Sequence, residues 1–155
     1  MNKKPDLNTA QSSGHTGSDN IAVTMVTNNL TIGKTASAFT TVTESNTAKT
    51  VGSGSLDVLA TPMMIALMEQ AACACVEDGL ETGQTSVGTE ANVSHIAASP
   101  IGAEITATAT IEYVLGRRIG FVVTAYDKAG EIGKGKHTRV IVDAENFMKK
   151  TRTRA

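Results

Sequence analysis

The chain is 155 residues long, which suits one domain with room for a tail. A folded chain of that length buries roughly 68 to 70% of the surface its unfolded form exposes, so it needs neither a disulfide nor a metal to be stable. Fourteen Lys and Arg against fifteen Asp and Glu leave a net charge of −1, and aromatics are only 3% with no Trp. Such a chain has no overall field for a polyanion and almost no stacking platform, which argues against a nucleic-acid partner.

Residues 1–29 are rich in Asn, Ser, Thr, Gly and Lys, and their one apolar patch is Ile21 to Val26. That composition reads as a mobile extension. It contains no apolar region long enough for a signal peptide, and no segment of the chain has the 18 or more apolar residues of a membrane span. The expected location is therefore the cytoplasm, with no membrane partner.

The domain is expected over residues 30–150, ahead of a frayed end at 151–155. Ile32 to Val42 is a first strand candidate, and Gly52-Ser-Gly54-Ser marks a loop. From Thr61-Pro62 to Val76, before Asp78-Gly79, the spacing predicts one helix of about 16 residues. Thr61 is its expected N-cap, Pro62 its first helical residue and Gly79 its stop. Apart from Glu69 and Gln70 this helix is apolar on every side, as a helix buried all round would be. Cys73 and Cys75 lie two residues apart within it, a spacing of neither a zinc knuckle nor a redox pair, and read as small core residues.

Beyond the helix the apolar period changes to 2. Strands are expected near Ser86 to Ala98, Glu104 to Val114, Arg117 to Asp127 and Ile132 to Val142, with hairpin turns at Leu115-Gly116 and Lys128-Ala129-Gly130. Asp143 is placed to cap a short C-terminal helix through Phe147. The fold class is α+β, a five-stranded antiparallel sheet around one long helix. One such sheet leaves the far side of the helix uncovered, so a second copy of the chain is expected there as a two-fold dimer.

Glu69 stands out, because a carboxylate in a buried helix must be paired or neutralised. His95, on the strand face with Val87, Ala91, Val93 and Ala97, is expected to approach it. Thr61 lies about 12 Å from Glu69 along the helix, so a site using both would join Thr61 of one subunit to Glu69 of the other. The end of the helix presents backbone N–H groups suited to a developing oxyanion. His137 and Arg139 share a face of the last strand, where surface charge is the plain reading and anion binding the functional one. No Walker loop, Rossmann glycine pattern, zinc spacing or G-x-S-x-G elbow occurs, so neither a cofactor nor a metal is expected.

Three blocks of sequence carry a family likeness. They are Val58-Leu-Ala-Thr61-Pro-Met-Met-Ile-Ala-Leu-Met-Glu69-Gln-Ala-Ala, then Gly83 to Pro100 with Gly88-Thr89 and His95, and Ile132-Gly-Lys-Gly-Lys-His137-Thr-Arg139. Together they resemble the fluoroacetyl-coenzyme A thioesterase-like branch of the hotdog-fold thioesterases. The resemblance implies a hotdog dimer that hydrolyses an acyl-CoA thioester, with a tetramer of two such dimers as the alternative assembly. Its catalytic set falls on Thr61, Glu69 and His95, and its substrate-binding positions fall on Gly88, Thr89 and Arg139. Ser55 or a neighbour stands where the fluoroacetyl-specific pattern has Phe, and Pro62 where it has Gly, which implies a more general short-chain or small acyl group. The alternative from another class is a non-catalytic acyl-CoA-binding or regulatory hotdog dimer.

Overall fold

A computed structural model of the chain describes residues 29–155. All of the expected extension except residue 29 lies outside the described residues. In chain order come β1 (Thr35–Thr41), a 3-10 turn (Glu44–Asn46), α1 (Ala48–Val51) and α2 (Thr61–Val76), which passes into a 3-10 turn (Glu77–Gly79). Then follow β2 (Gln84–His95), β3 (Glu104–Leu115), β4 (Arg118–Asp127), β5 (Gly130–Asp143) and α3 (Ala144–Arg152). The five strands form one antiparallel sheet in the order β1-β3-β4-β5-β2, and the expected α+β architecture is what forms.

Alternation builds the sheet. Ile105, Ala107, Ala109 and Ile111 of β3 are buried, as are Ile119, Phe121, Val123 and Ala125 of β4, and the two strands set Ala107 opposite Ala125 and Ile111 opposite Phe121. Helix α2 presses Met64, Leu67, Met68, Ala71, Ala72, Cys75 and Val76 into this surface. These positions recur every three or four residues, the stripe of a helix that packs on one side. The small side chains Ala71, Ala72, Ala107, Ala109 and Ala125 let helix and sheet come close.

The expectation of all-round burial does not hold for the single chain. Thr61, Pro62, Gln70, Cys73 and Ala74 of α2 stay exposed. Cys73 is accordingly not a core residue, although Cys75 is, and the latter's thiol donates to the Lys34 carbonyl at 3.2 Å. Two residues along a helix is about 200° of rotation, so both thiols could not face one side.

The helix also starts differently. Ala60, in an extended conformation, is the N-cap and makes no side-chain cap hydrogen bond; Thr61 is already helical, and Pro62 follows in the first turn. Backbone bonds from Leu59 N–H to the Ser99 carbonyl and from Ala60 N–H to the Asn46 carbonyl pin the entry segment. Gly79 is not the stop of α2, whose C-cap is Glu77; it closes the following 3-10 turn, where a Cβ would fall 2.6 Å from the Leu30 side chain. At the C-terminus Asp143 caps α3 as expected, accepting from Asn146 N–H at 2.8 Å. That helix runs on past Phe147 to Arg152.

Candidate active site

β2 is bulged at Thr89: Gly88 pairs with Arg139 and Glu90 with Thr138, leaving Thr89 as the extra residue. A bulge adds one residue to one strand and so reverses which residues face which side. Ser86 and Gly88 face α2 before the bulge, and Val93 and His95 face it after. Val87 therefore does not share a face with His95, contrary to simple alternation.

Two clusters result, one at the N-terminus of α2 and one at its middle. At its N-terminus Thr61 Oγ1 lies 2.8 Å from His95 Nδ1. This bond, rather than a helix cap, is what the Thr61 hydroxyl makes. His95 Nε2 is enclosed and has no hydrogen-bond partner. Burial pushes the His95 pKa below its ordinary value, with the Ala97 backbone pulling weakly the other way, so the ring is neutral at pH 7. The pair borders a groove of about 260 Å³ lined also by Ser53, Val58 and Ile96. Fewer backbone donors are free here than a bare helix end would offer. Met63 and Met64 N–H both bond the Ala60 carbonyl and Pro62 has no N–H, so in this turn only the Thr61 amide is left for a ligand.

Two turns further on, Glu69 faces β5 instead of His95. Its Oε1 is 3.7 Å from His137 Nε2 and 3.8 Å from Arg139 Nη1. The carboxylate is not buried as expected: 41% of its side chain is exposed, against 2% for His137 and 7% for Arg139. The plain reading of His137 and Arg139 as surface charge fails for the same reason. Arg139 is anchored under β2, donating from Nε to Ser86 Oγ at 2.8 Å and from Nη2 to the Ser86 carbonyl at 2.9 Å. A buried guanidinium with fixed partners presents one remaining face, and that face meets Glu69. Gly88 is what lets the carboxylate in, because a Cβ there would lie 2.5 Å from Glu69 Oε1 and 3.2 Å from His137 Cε1. Thr89 donates from its hydroxyl to the Thr138 carbonyl at 3.3 Å and is otherwise exposed.

Within one chain, then, Thr61 meets His95, and Glu69 meets Gly88, Arg139 and His137. Ser86 is the member that sequence reasoning left out, and His137 was considered there without being placed beside Glu69. The parity of His137 and Arg139 with buried Ile141 on β5 was the available sign that they point inward.

The model of the fluoroacetyl-CoA-specific thioesterase family, FlK, matches residues 42–145. The chain belongs to the FlK family. The matched span runs from the end of β1 through the start of α3 and includes every residue of both clusters. A curated relative, the fluoroacetyl-CoA thioesterase of Streptantibioticus cattleyicolor, is 42% identical over 96 residues, which is 62% of this chain and 69% of that protein. A solved structure of the fluoroacetyl-CoA thioesterase FlK superimposes with a TM-score of 0.77 at 32% identity, covering 81% of this chain and 98% of that one. A hot-dog-like protein from Thermanaerovibrio acidaminovorans superimposes with a TM-score of 0.72 at 25% identity, covering 79% and 91%. The expected hotdog fold is thereby borne out.

Proposed function

We propose that this FlK-family protein, a thioester hydrolase, cleaves a short-chain or small acyl-CoA in a site shared between two copies of the chain, with Thr61 and His95 from one and Glu69 from the other. The observation that carries the reading is the division of the residues into two clusters about 12 Å apart along one helix. Neither cluster alone holds both a hydroxyl–imidazole pair and a carboxylate. Two features support a second copy. The flank of α2 between the clusters is open, and β2, twelve residues long, is an edge strand with one side unpaired. A long bare edge is a place where another chain adds. A two-fold axis beside that edge would reverse one helix against the other and bring the N-terminal cluster of each toward the Glu69 cluster of its partner.

In this reading the thioester carbonyl lies in the groove by Thr61, whose hydroxyl and amide orient it and hold the oxyanion. Glu69 either attacks the carbonyl carbon, breaking the C–S bond to leave a mixed anhydride that water then hydrolyses, or takes a proton from a water that attacks the carbon directly. His95, neutral and with an unpartnered Nε2, moves the proton to the departing thiolate. Gly88 keeps the carboxylate's seat clear, and Arg139 holds its charge. The small volume of the groove favours a small acyl group.

A mixing experiment tests the shared site. Thr61→Val and Glu69→Gln are each expected to be inactive, while heterodimers place both changes in one site and leave the other intact. After unfolding and refolding an equimolar mixture, about a quarter of all sites are whole, so about a quarter of wild-type thiol release should return. Sedimentation should report at least twice 16.1 kDa. No recovery from a mixture that has formed heterodimers would place both residues in one chain's site.

A further inference from the structure

His137 Nδ1 lies 2.8 Å from the Glu90 carbonyl oxygen, and its Nε2 lies 3.2 Å from Arg139 Nη1. A carbonyl only accepts and a guanidinium only donates, so each neighbour dictates the state of the nitrogen it meets. Nδ1 must carry a hydrogen and Nε2 must offer its lone pair. One form of the ring satisfies both, the neutral Nδ1–H tautomer.

We propose that His137 is a positioning residue of the thioesterase site, a neutral Nδ1–H imidazole that holds the Arg139 guanidinium toward Glu69 and releases it on protonation. The inference rests on the reading of Glu69 as the site carboxylate. Arg139 has three fixed directions, two onto Ser86 of β2 and one onto His137, and together they turn Nη1 toward Glu69 Oε1. Without the acceptor on His137, Nη1 loses the bond that sets its place relative to the carboxylate.

The groups facing the ring are few. On its own strand there is Arg139, from α2 Glu69, from β2 the Glu90 carbonyl, and from β4 the Phe121 ring, stacked at 6.0 Å. With the imidazole neutral, one guanidinium balances one carboxylate. Protonation would put a second cation against Arg139 and remove the lone pair that Nη1 uses. The new Nε2–H would then reach for Glu69 Oε1, 3.7 Å away, in competition with Arg139. Burial, the largest influence, pushes the His137 pKa below its ordinary value; the Glu90 bond raises it, Arg139 lowers it and Glu69 raises it. The neutral form therefore prevails at pH 7, and the change of state falls on the acid side.

The test compares His137→Gln, whose Oε1 can still accept from Arg139 but cannot titrate in this range, with His137→Phe, which keeps ring volume alone. Nitrogen-15 spectra of the wild-type His137 ring at pH 7.5 should show Nδ1 protonated and Nε2 bare. With an acyl-CoA substrate, His137→Phe should lower kcat by on the order of 10 to 10²-fold, the effect of misplacing a catalytic group by about 1 Å, with KM within about threefold. His137→Gln should recover most of that loss at pH 8 and hold its activity to lower pH than wild type, because one of two titrating histidines is gone. An Nε2–H tautomer would overturn the proposal, and so would equal losses in both variants with an unchanged pH profile. If His137→Phe fails to fold, the ring spectra and the acid limb of His137→Gln still decide. Failure of the site reading is separable, because it would appear as an active Glu69→Gln whatever the state of His137.

Discussion

Gly88→Ala tests whether the seat of the carboxylate, rather than its mere presence, governs turnover. Gly88 is outside the left-handed region, so alanine brings no backbone strain; its consequences are a Cβ that would stand 2.5 Å from Glu69 Oε1 and 3.2 Å from Cε1 of the buried His137 ring. Ordinary contact begins near 3.4 Å, so the carboxylate must retreat by about 1 Å. It is free to do so, because the Glu69 side chain is 41% exposed and ends in flexible bonds. The buried His137 ring must also give by a few tenths of an ångström, so the fold should lose about 1 kcal/mol, near the centre of the range for point substitutions. Chemistry should lose far more, since a misplacement of that size costs on the order of 10² in rate, or about 2.7 kcal/mol of barrier. Thiol release from a panel of short acyl-CoA esters gives kcat and KM, and thermal melting gives stability. Combining Gly88→Ala with Glu69→Gln should be little worse than Glu69→Gln alone, because both act through one group. A folded Gly88→Ala protein with wild-type kcat would mean that Glu69 does not act from the position the structure gives it.

Glu69→Gln keeps shape and removes charge, so it should lower turnover by on the order of 10² to 10⁴ with little effect on melting, and His95→Ala added to it should cost little more. Stability should fall on acidification: burial lowers the pKa of both His95 and His137, so the unfolded chain binds more protons than the native one below about pH 6.5. Their contribution is complete above that pH and is lost as pH falls through the lowered values; a melting midpoint that rises between pH 6.5 and 5 would refute this. Removing residues 1–28 should leave melting and thiol release unchanged, because both site clusters and the core packed beneath them are built from residues 29–155.

The elements were legible where a period or a stop signal ran long enough. Alternation from Ile105 to Ile111 marked β3, and the apolar run closed by Asp78-Gly79 marked α2, its start misplaced by one residue. The bulge at Thr89 was not legible, since one extra residue in a strand changes no count of apolar positions, yet it decides that Gly88 and His95 both face the helix. The capping role expected of Thr61 failed for a related reason. Its hydroxyl had a partner on a strand more than thirty residues away, and sequence spacing records only local candidates. Thr61, His95 and Glu69 could all be named from the chain. Which of them touch depends on register, and register placed His137 and Arg139, not His95, beneath Glu69.

That pairing bears on how the hydrolysis must be organised. Eight residues separate Thr61 from Glu69, which on a helix is about 12 Å of rise and a rotation of about 80°. No side-chain rotamer closes such a gap onto one carbonyl carbon. A chain acting alone would therefore orient a thioester at the N-terminus of α2 and hold its carboxylate halfway along the helix. The same separation becomes useful once two helices run antiparallel about a two-fold axis, because the N-terminus of each can then approach the middle of its neighbour. The exposed stripe of Pro62, Gln70, Cys73 and Ala74 follows the side of α2 that such a neighbour would cover. Covering it would also exclude water from the half-exposed Glu69, and in a drier site both its attraction to Arg139 and its reactivity toward an acyl carbon increase. On this argument assembly both completes the set of residues and changes the medium in which the carboxylate acts.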